Sequence, residues 1–245
     1  MKMKALIQGN TIPQSVDCSI AFHGFEDLEY EIKVFNDWIR FSGADFSQYN
    51  VCVGGIDLTH FAFMKMGLRD WYLSCYPEPL QHFLHRDIKE MSLKEIIRTP
   101  PKNSFIKPVK PKRFNHIITG AHVDLEESFI SFLSLDEDEK AYVCQKVDFV
   151  SEWRVYVRHN EIQAICFYKG SPIVFPSTAV VNFMINFWVI SPCCYALDVG
   201  VLSNRETVLV EVNDFYSVGN YGLYHRDYAE MLQLRWNEIT GVKNG

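Results

Sequence analysis

No apolar run in the chain reaches the roughly 20 residues that a membrane-spanning helix needs, so no membrane insertion is expected. Positive charge is not in excess either: 24 Lys and Arg stand against 30 Asp and Glu, for a net charge of −6. That balance argues against a general nucleic-acid binder or a ligand of anionic membranes, although local basic stretches remain. The seven cysteines, at 18, 52, 75, 144, 166, 193 and 194, contain no Cys-x-x-Cys and are odd in number. They read as reduced, mostly buried thiols, which leads us to expect a cytoplasmic protein. After Met1-Lys2-Met3-Lys4 the apolar run is too short for a secretory leader. Gly54-Gly55 follows a strand-like run but lacks the rest of a G-x-G-x-x-G signature. No Ser-His-Asp or Cys-His arrangement for covalent catalysis is evident.

What is present points elsewhere. The 245 residues are 48% hydrophobic and 22% charged, enough to bury a core in one large domain or two small ones. The most informative run is Ala196-Leu197-Asp198-Val199-Gly200-Val201, a polar turn, and then Val208-Leu209-Val210-Glu211-Val212-Asn213-Asp214-Phe215. Its alternation predicts two paired β-strands. Val208, Val210 and Val212 are expected on one face, and Leu209, Glu211 and Asn213 on the other. Asp198 sits among apolar neighbours on the first strand. At about 4 Å two carboxylates repel by roughly 4 kcal/mol at an effective dielectric of about 20. A hard cation between them would offset that repulsion, and Asp198, Glu211 and Asn213 are all-oxygen donors of the kind Mg²⁺ takes. Exposed strand residues beside a solvated turn are the plainer explanation of each acid taken singly.

Along the chain, Ser19–Phe22 reads as a short strand and Leu28–Phe41 as a helix, followed by strand Val51–Val53 and helix Leu58–Met66. Helical spacing resumes from Pro77 to Ile97; His82 and His85 share a face there, but no second ligand pair accompanies them. Arg98-Thr99-Pro100-Pro101-Lys102-Asn103 is the best linker. It divides a unit of residues 1–99 from one of residues 100–245. A strand carrying Lys107 then enters the basic loop Lys110-Pro111-Lys112-Arg113, which suits phosphates as well as plain solvent. Asp136–Glu139 reads as a solvated acidic turn. Ala141–Val147 is a strand. Glu152–Arg158 and Ile162–Tyr168 form a hairpin, with Glu152 and Arg154 on one face; a cross-strand ion pair is the plainer reading of Arg154. Ser177 caps a helix, and an amphipathic helix spans Asp227 to Ile239.

Four pieces in this order resemble the ATP-grasp superfamily, and within it the clade defined by one arginine and two lysines. They are Phe105-Ile106-Lys107-Pro108-Val109 with Lys112-Arg113-Phe114, then Ser151-Glu152-Trp153-Arg154-Val155-Tyr156-Val157, Ala196–Val201 and Leu209–Phe215. The resemblance implies an α+β fold in which two lobes clasp ATP, preceded by a small pre-ATP-grasp domain. Residues 104–150 would form the nucleotide-covering lobe and 151–245 the metal-binding lobe. By the resemblance, Lys107, Lys146 and Lys112 would meet ATP, the backbone around Val147 and Asp148 the adenine, and Glu152 the ribose or a neighbouring basic side chain. Arg154 would face the γ-phosphate, making Arg154 and Lys107 the catalytic pair, and Asp198, Glu211 and Asn213 would hold Mg²⁺. The implied activity is an ATP- and Mg²⁺-dependent carboxylate–amine ligase working through an acylphosphate, with a carboxylate-bearing acceptor and an amine as partners. Where relatives tend to show Lys-x-Phe-Thr-Gly, this chain has Lys112-Arg113-Phe114-Asn115-His116. That departure keeps two alternatives open: a nucleotide-binding module without turnover, and an ATP-dependent phosphotransferase.

Overall fold

The computed structural model describes residues 2–9, 16–36, 41–68, 71–111, 113–114, 116–119 and 135–241. The N-terminal unit is a three-stranded parallel sheet in the order β2-β1-β3, from Lys4–Gln8 (β1), Glu31–Phe35 (β2) and Val51–Val53 (β3). Helix α1 (Val16–Asp27) connects the first two strands, and α2 (Ile56–Lys65) follows the third.

Two expectations for this unit are overturned. Ser19–Phe22 is not a strand but part of α1, because Cys18, Ala21 and Phe25 bury one helical face. Glu31–Phe35, expected in a helix, is a strand paired in parallel with β1 from Lys4↔Glu31 to Gln8↔Phe35. Trp38 and Ile39, expected in the same helix, lie outside the described residues.

After the 3-10 turn Glu78–Phe83 come β4 (Ile88–Ser92), α3 (Leu93–Arg98), β5 (Ser104–Pro108), β6 (Ile117–Ile118) and β7 (Lys140–Gln145). These strands form an antiparallel sheet in the order β4-β7-β5-β6. A division at residue 99 would therefore cut through a sheet, since β4 and α3 belong with β5 and β7. Ser92 starts α3 with a reciprocal capping box to Glu95, which fixes the strand-to-helix turn.

The third sheet has the order β11-β10-β8-β9, from β8 (Ser151–Arg158), β9 (Glu161–Gly170), β10 (Cys194–Val201) and β11 (Thr207–Asp214). Helix α4 (Thr178–Phe187), capped by Ser177, crosses between β9 and β10. It buries Val181, Met184 and Ile185 against Trp153, Val155, Leu197, Val199 and Leu209 on one face of the sheet. The other face changes character along its length. At one end Tyr156, Cys194 and Ala196 join a core shared with the N-terminal sheet and α5 (His225–Thr240). At the other end it carries Glu152, Arg154 and Asp198, the charged residues among its buried side chains. The last helix thus ties the sheet to α1 and fixes where the polar end of that face points.

Candidate functional site

Charged residues on an otherwise buried strand face must be paired or hydrogen-bonded. Strand β8 pairs with β10 so that Arg154 stands opposite Asp198. The guanidinium makes a bidentate contact: Nε donates to Asp198 Oδ1 at 2.7 Å and Nη2 to Oδ2 at 2.7 Å. Nη1 donates to the carbonyl of Gly219 at 3.1 Å, and the Tyr156 hydroxyl donates to the same oxygen at 2.9 Å. Tyr221 covers the guanidinium, its ring 4.7 Å from Arg154 Cζ, and stacks on Tyr168. Arg154 is therefore fixed on every side but the one facing the cavity.

The second carboxylate arrives by a β-bulge. Asp198 pairs with Glu211, but the next residue, Val199, pairs with Leu209, so Val210 is the extra residue. The bulge corrects one expectation. Leu209 does not share a face with Glu211 and Asn213; it turns into the α4 core beside Val212. Glu211 and Asn213 remain on the face of Asp198. Arg86, which sequence reasoning passed over, holds the bulge in place. Its Nη1 donates to the Leu209 carbonyl at 2.9 Å and its Nη2 to the Val210 carbonyl at 2.6 Å.

Lys107 crosses from β5 of the neighbouring sheet and pairs with Glu211. Its ammonium also lies 5.5 Å from the centre of the Tyr76 ring. The Asn213 amide joins the two acids, donating to Asp198 Oδ2 at 3.0 Å and to Glu211 Oε1 at 3.3 Å. Two sheets thus meet in one polar cluster of Lys107, Arg154, Asp198, Glu211 and Asn213. Burial pushes the Asp198 carboxyl up to about 6 against the pull of Arg154. Burial would raise Glu211 too, but the Lys107 ammonium and the Asn213 amide hold it below its ordinary value. Lys107 stays charged: the neighbouring Glu211 outweighs the burial that would lower it.

The cluster separates two cavities. One, of about 440 Å³, is lined by Lys146, Val147, Asp148 and Phe149 on one side and by Glu152, Arg154, Asp198 and Glu211 on the other. Glu152 accepts from the Tyr168 hydroxyl at 3.0 Å and pairs with Lys169 at 2.6 Å. Lys146 is half exposed and pairs with Asp148 at 3.0 Å. The other cavity, of about 320 Å³, has Lys107 and Asn213 on its wall and shares Glu211 with the first. Lys112 and Asn115 lie outside the described residues.

A family model described as the ATP-grasp domain, R2K clade family 2, matches residues 83–231, more than half of the chain. The chain belongs to that ATP-grasp family. The match begins at the end of the 3-10 turn, so it takes in β4 and α3 along with the two antiparallel sheets. Among solved structures, D-cycloserine synthetase DcsG superposes with a TM-score of 0.59 at 11% identity, over 96% of this chain and 99% of that one. L-amino acid ligase from Bacillus licheniformis gives 0.57 at 12% identity, over 100% and 78%. D-alanine–D-alanine ligase from Bacillus anthracis gives 0.52 at 10% identity, over 98% and 99%. At these identities the likeness is one of fold, and the fold it supports is the α+β ATP-grasp fold. A search of curated proteins finds no sequence match.

Among the described residues no helix is long and apolar enough to cross a membrane. Nor do three His, Cys, Asp or Glu side chains converge on one point there. The polar cluster holds two carboxylates, Asp198 and Glu211, and the Asn213 amide.

Proposed function

We propose that the protein is an ATP- and Mg²⁺-dependent carboxylate–amine ligase acting through an acylphosphate. The observation that carries this reading is the cluster in which Lys107 and Arg154, from two different sheets, flank Asp198, Glu211 and Asn213 between two cavities. Two carboxylates side by side on neighbouring strands repel one another. Here each is matched to a cation, and the amide between them exchanges its nitrogen and oxygen ends by a half-turn. With that turn, Asp198, Glu211 and Asn213 would offer Mg²⁺ hard-oxygen donors in exchange for part of their contacts with Arg154 and Lys107. Bound there, Mg²⁺ would neutralise charge on phosphate oxygens.

In this reading the 440 Å³ cavity takes the nucleotide. The backbone at Val147 and Asp148 meets the adenine, Glu152 reaches the ribose, Lys146 attracts the phosphates, and Lys107 adds its charge from the neighbouring cavity across Glu211. Arg154, already immobilised by Asp198, Gly219 and Tyr221, presents a fixed positive charge to the γ-phosphate. The acceptor carboxylate attacks the γ-phosphorus, ADP leaves, and an amine then displaces phosphate to form the amide. Phosphoryl transfer asks the protein mainly for positioning and charge neutralisation, which rigid cationic groups supply without reorganising.

ADP release measured against panels of amino acids and peptides tests the proposal. Acceptor-dependent release, trapped as a hydroxamate by hydroxylamine, is expected, with a loss of about 100-fold or more in Arg154→Met. Nucleotide binding without acceptor-dependent release would favour the module that binds without turnover, a reading to which the engagement of both acids with cations also lends itself. Release without hydroxamate would favour a phosphotransferase.

A further inference from the structure

From Gly170 to Leu197 the chain carries no Asp, Glu, Lys, Arg or His, although 22% of its residues are charged. Burial explains only part of this run. Strand β10 is interior, but α4 and its flanks present a large apolar surface on the side of the sheet away from the polar cluster. Ile173 is 90% exposed, Phe175 52%, Phe183 57%, Phe187 47%, Val189 80% and Ile190 91%. Phe183 and Phe187 pack edge-on against each other, and Phe187 also against His82, so the patch has an ordered aromatic centre. At roughly 180 Å² for each fully exposed side chain, these six leave roughly 750 Å² of apolar surface open. Monomers rarely leave an apolar patch larger than about 300–600 Å² in water.

We propose that this face is a two-fold interface between two copies of the chain. The area is that of a standard interface, about 800 Å² on each partner. The missing charge favours a self-contact over a different partner. Around a two-fold axis a patch meets itself, so any acid or base near the axis would face its own like charge; α4 and its flanks bring none, and the imidazole of His82 beside Phe187 is the titratable group at the patch's margin. Asn182 and Asn186, exposed on the same helix, suit the same symmetry, because an amide both donates and accepts and so can pair with its own copy. For a chain of net charge −6, contact through the uncharged face also keeps the acidic surfaces apart.

The test is sedimentation equilibrium of the full chain over a range of concentrations, beside the Phe183→Asp/Phe187→Asp variant and an Ile97→Asp control. Ile97 is exposed on α3, outside the patch. Circular dichroism checks that each variant is folded. The expected result is twice the monomer mass for the native chain and the control, with dissociation at least about 100-fold weaker in concentration terms for the double variant's dimer. A native chain that stays monomeric would overturn the proposal and leave the face to another partner or to lipid. So would a dimer that survives the double substitution, or a mass that grows beyond two. None of these outcomes bears on nucleotide binding, so the two proposals fail separately.

Discussion

Replacing Arg86 tests how the second carboxylate is delivered. The guanidinium bridges the carbonyls of Leu209 and Val210 and also donates to Leu84 O at 3.1 Å. Arg86→Met keeps the aliphatic stem and removes all three bonds. Hydrogen bonds from a charged donor contribute about 1.5–3 kcal/mol each when their partners are left dry. Val210 borders the open 440 Å³ cavity, so water would satisfy part of the loss. We therefore expect a net cost of about 2 kcal/mol. For a chain of this size that lowers Tm by about 4–8 °C. Without the bridge the extra residue can move along β11, and a one-residue slip would turn Glu211 away from Asp198. Mg²⁺-dependent ATP affinity should fall by about tenfold or more, equivalent to at least about 1.4 kcal/mol. Arg86→Lys should recover little, since an ammonium cannot span two successive carbonyls as a planar fork does. Differential scanning calorimetry without nucleotide reads the structural cost, and titration of ATP with Mg²⁺ reads the functional one. An unchanged Tm would refute the bracing role, because a mere nucleotide contact would weaken binding without destabilising the empty protein.

Two further outcomes follow from the same geometry. With Asp198 raised to about 6, a proton competes with the divalent cation as pH falls through that value, so Mg²⁺-dependent ATP affinity should drop by about tenfold per pH unit below it. Folding responds with the other sign for this group: its contribution is fully present below its ordinary value of 3.8 and is lost as pH rises through about 6. Glu211, held below its ordinary 4.5, instead stabilises above that value and loses its contribution as pH falls. A titration that is flat between pH 5 and 7 (a range of roughly one unit either side of the shifted value) would contradict the first statement. Gly200→Ala would place a Cβ 2.3 Å from the Phe149 ring, which lines the 440 Å³ cavity proposed for the nucleotide. It should cost about 1–3 kcal/mol and weaken ATP, and an unaltered melting curve would show that Phe149 yields freely.

Much of the polar cluster proposed as the site was legible because polar residues on apolar strands stand out against a period of two. Asp198, Glu211, Asn213, Glu152 and Arg154 were all visible in that way, and the hairpin and the final helix followed from their patterns. The pattern could not reveal the bulge, since an extra residue shows only when two strands are paired; it misplaced Leu209 for that reason. Arg86 left no sequence signal, because its partners are backbone carbonyls distant in the chain. The N-terminal exchange of strand and helix has another cause. Runs as short as Ser19–Phe22 fit either period, and pairing with β1 decided the matter for Glu31–Phe35. The sequence suggested a cation between the acids and a cross-strand ion pair for Arg154; the structure pairs Arg154 with Asp198 across the strands and adds Lys107 as the partner of Glu211.

Isothermal titration of ATP, with and without Mg²⁺, into the native chain and into Asp198→Asn/Glu211→Gln examines the core of the proposal most directly. Both substitutions keep side-chain size and remove only the negative charges, and calorimetric unfolding confirms that the variant is folded. The native chain should bind ATP more tightly with Mg²⁺ than without, and the variant should lose that Mg²⁺-dependent gain. Equal Mg²⁺ dependence in the two proteins would contradict the assignment of the site.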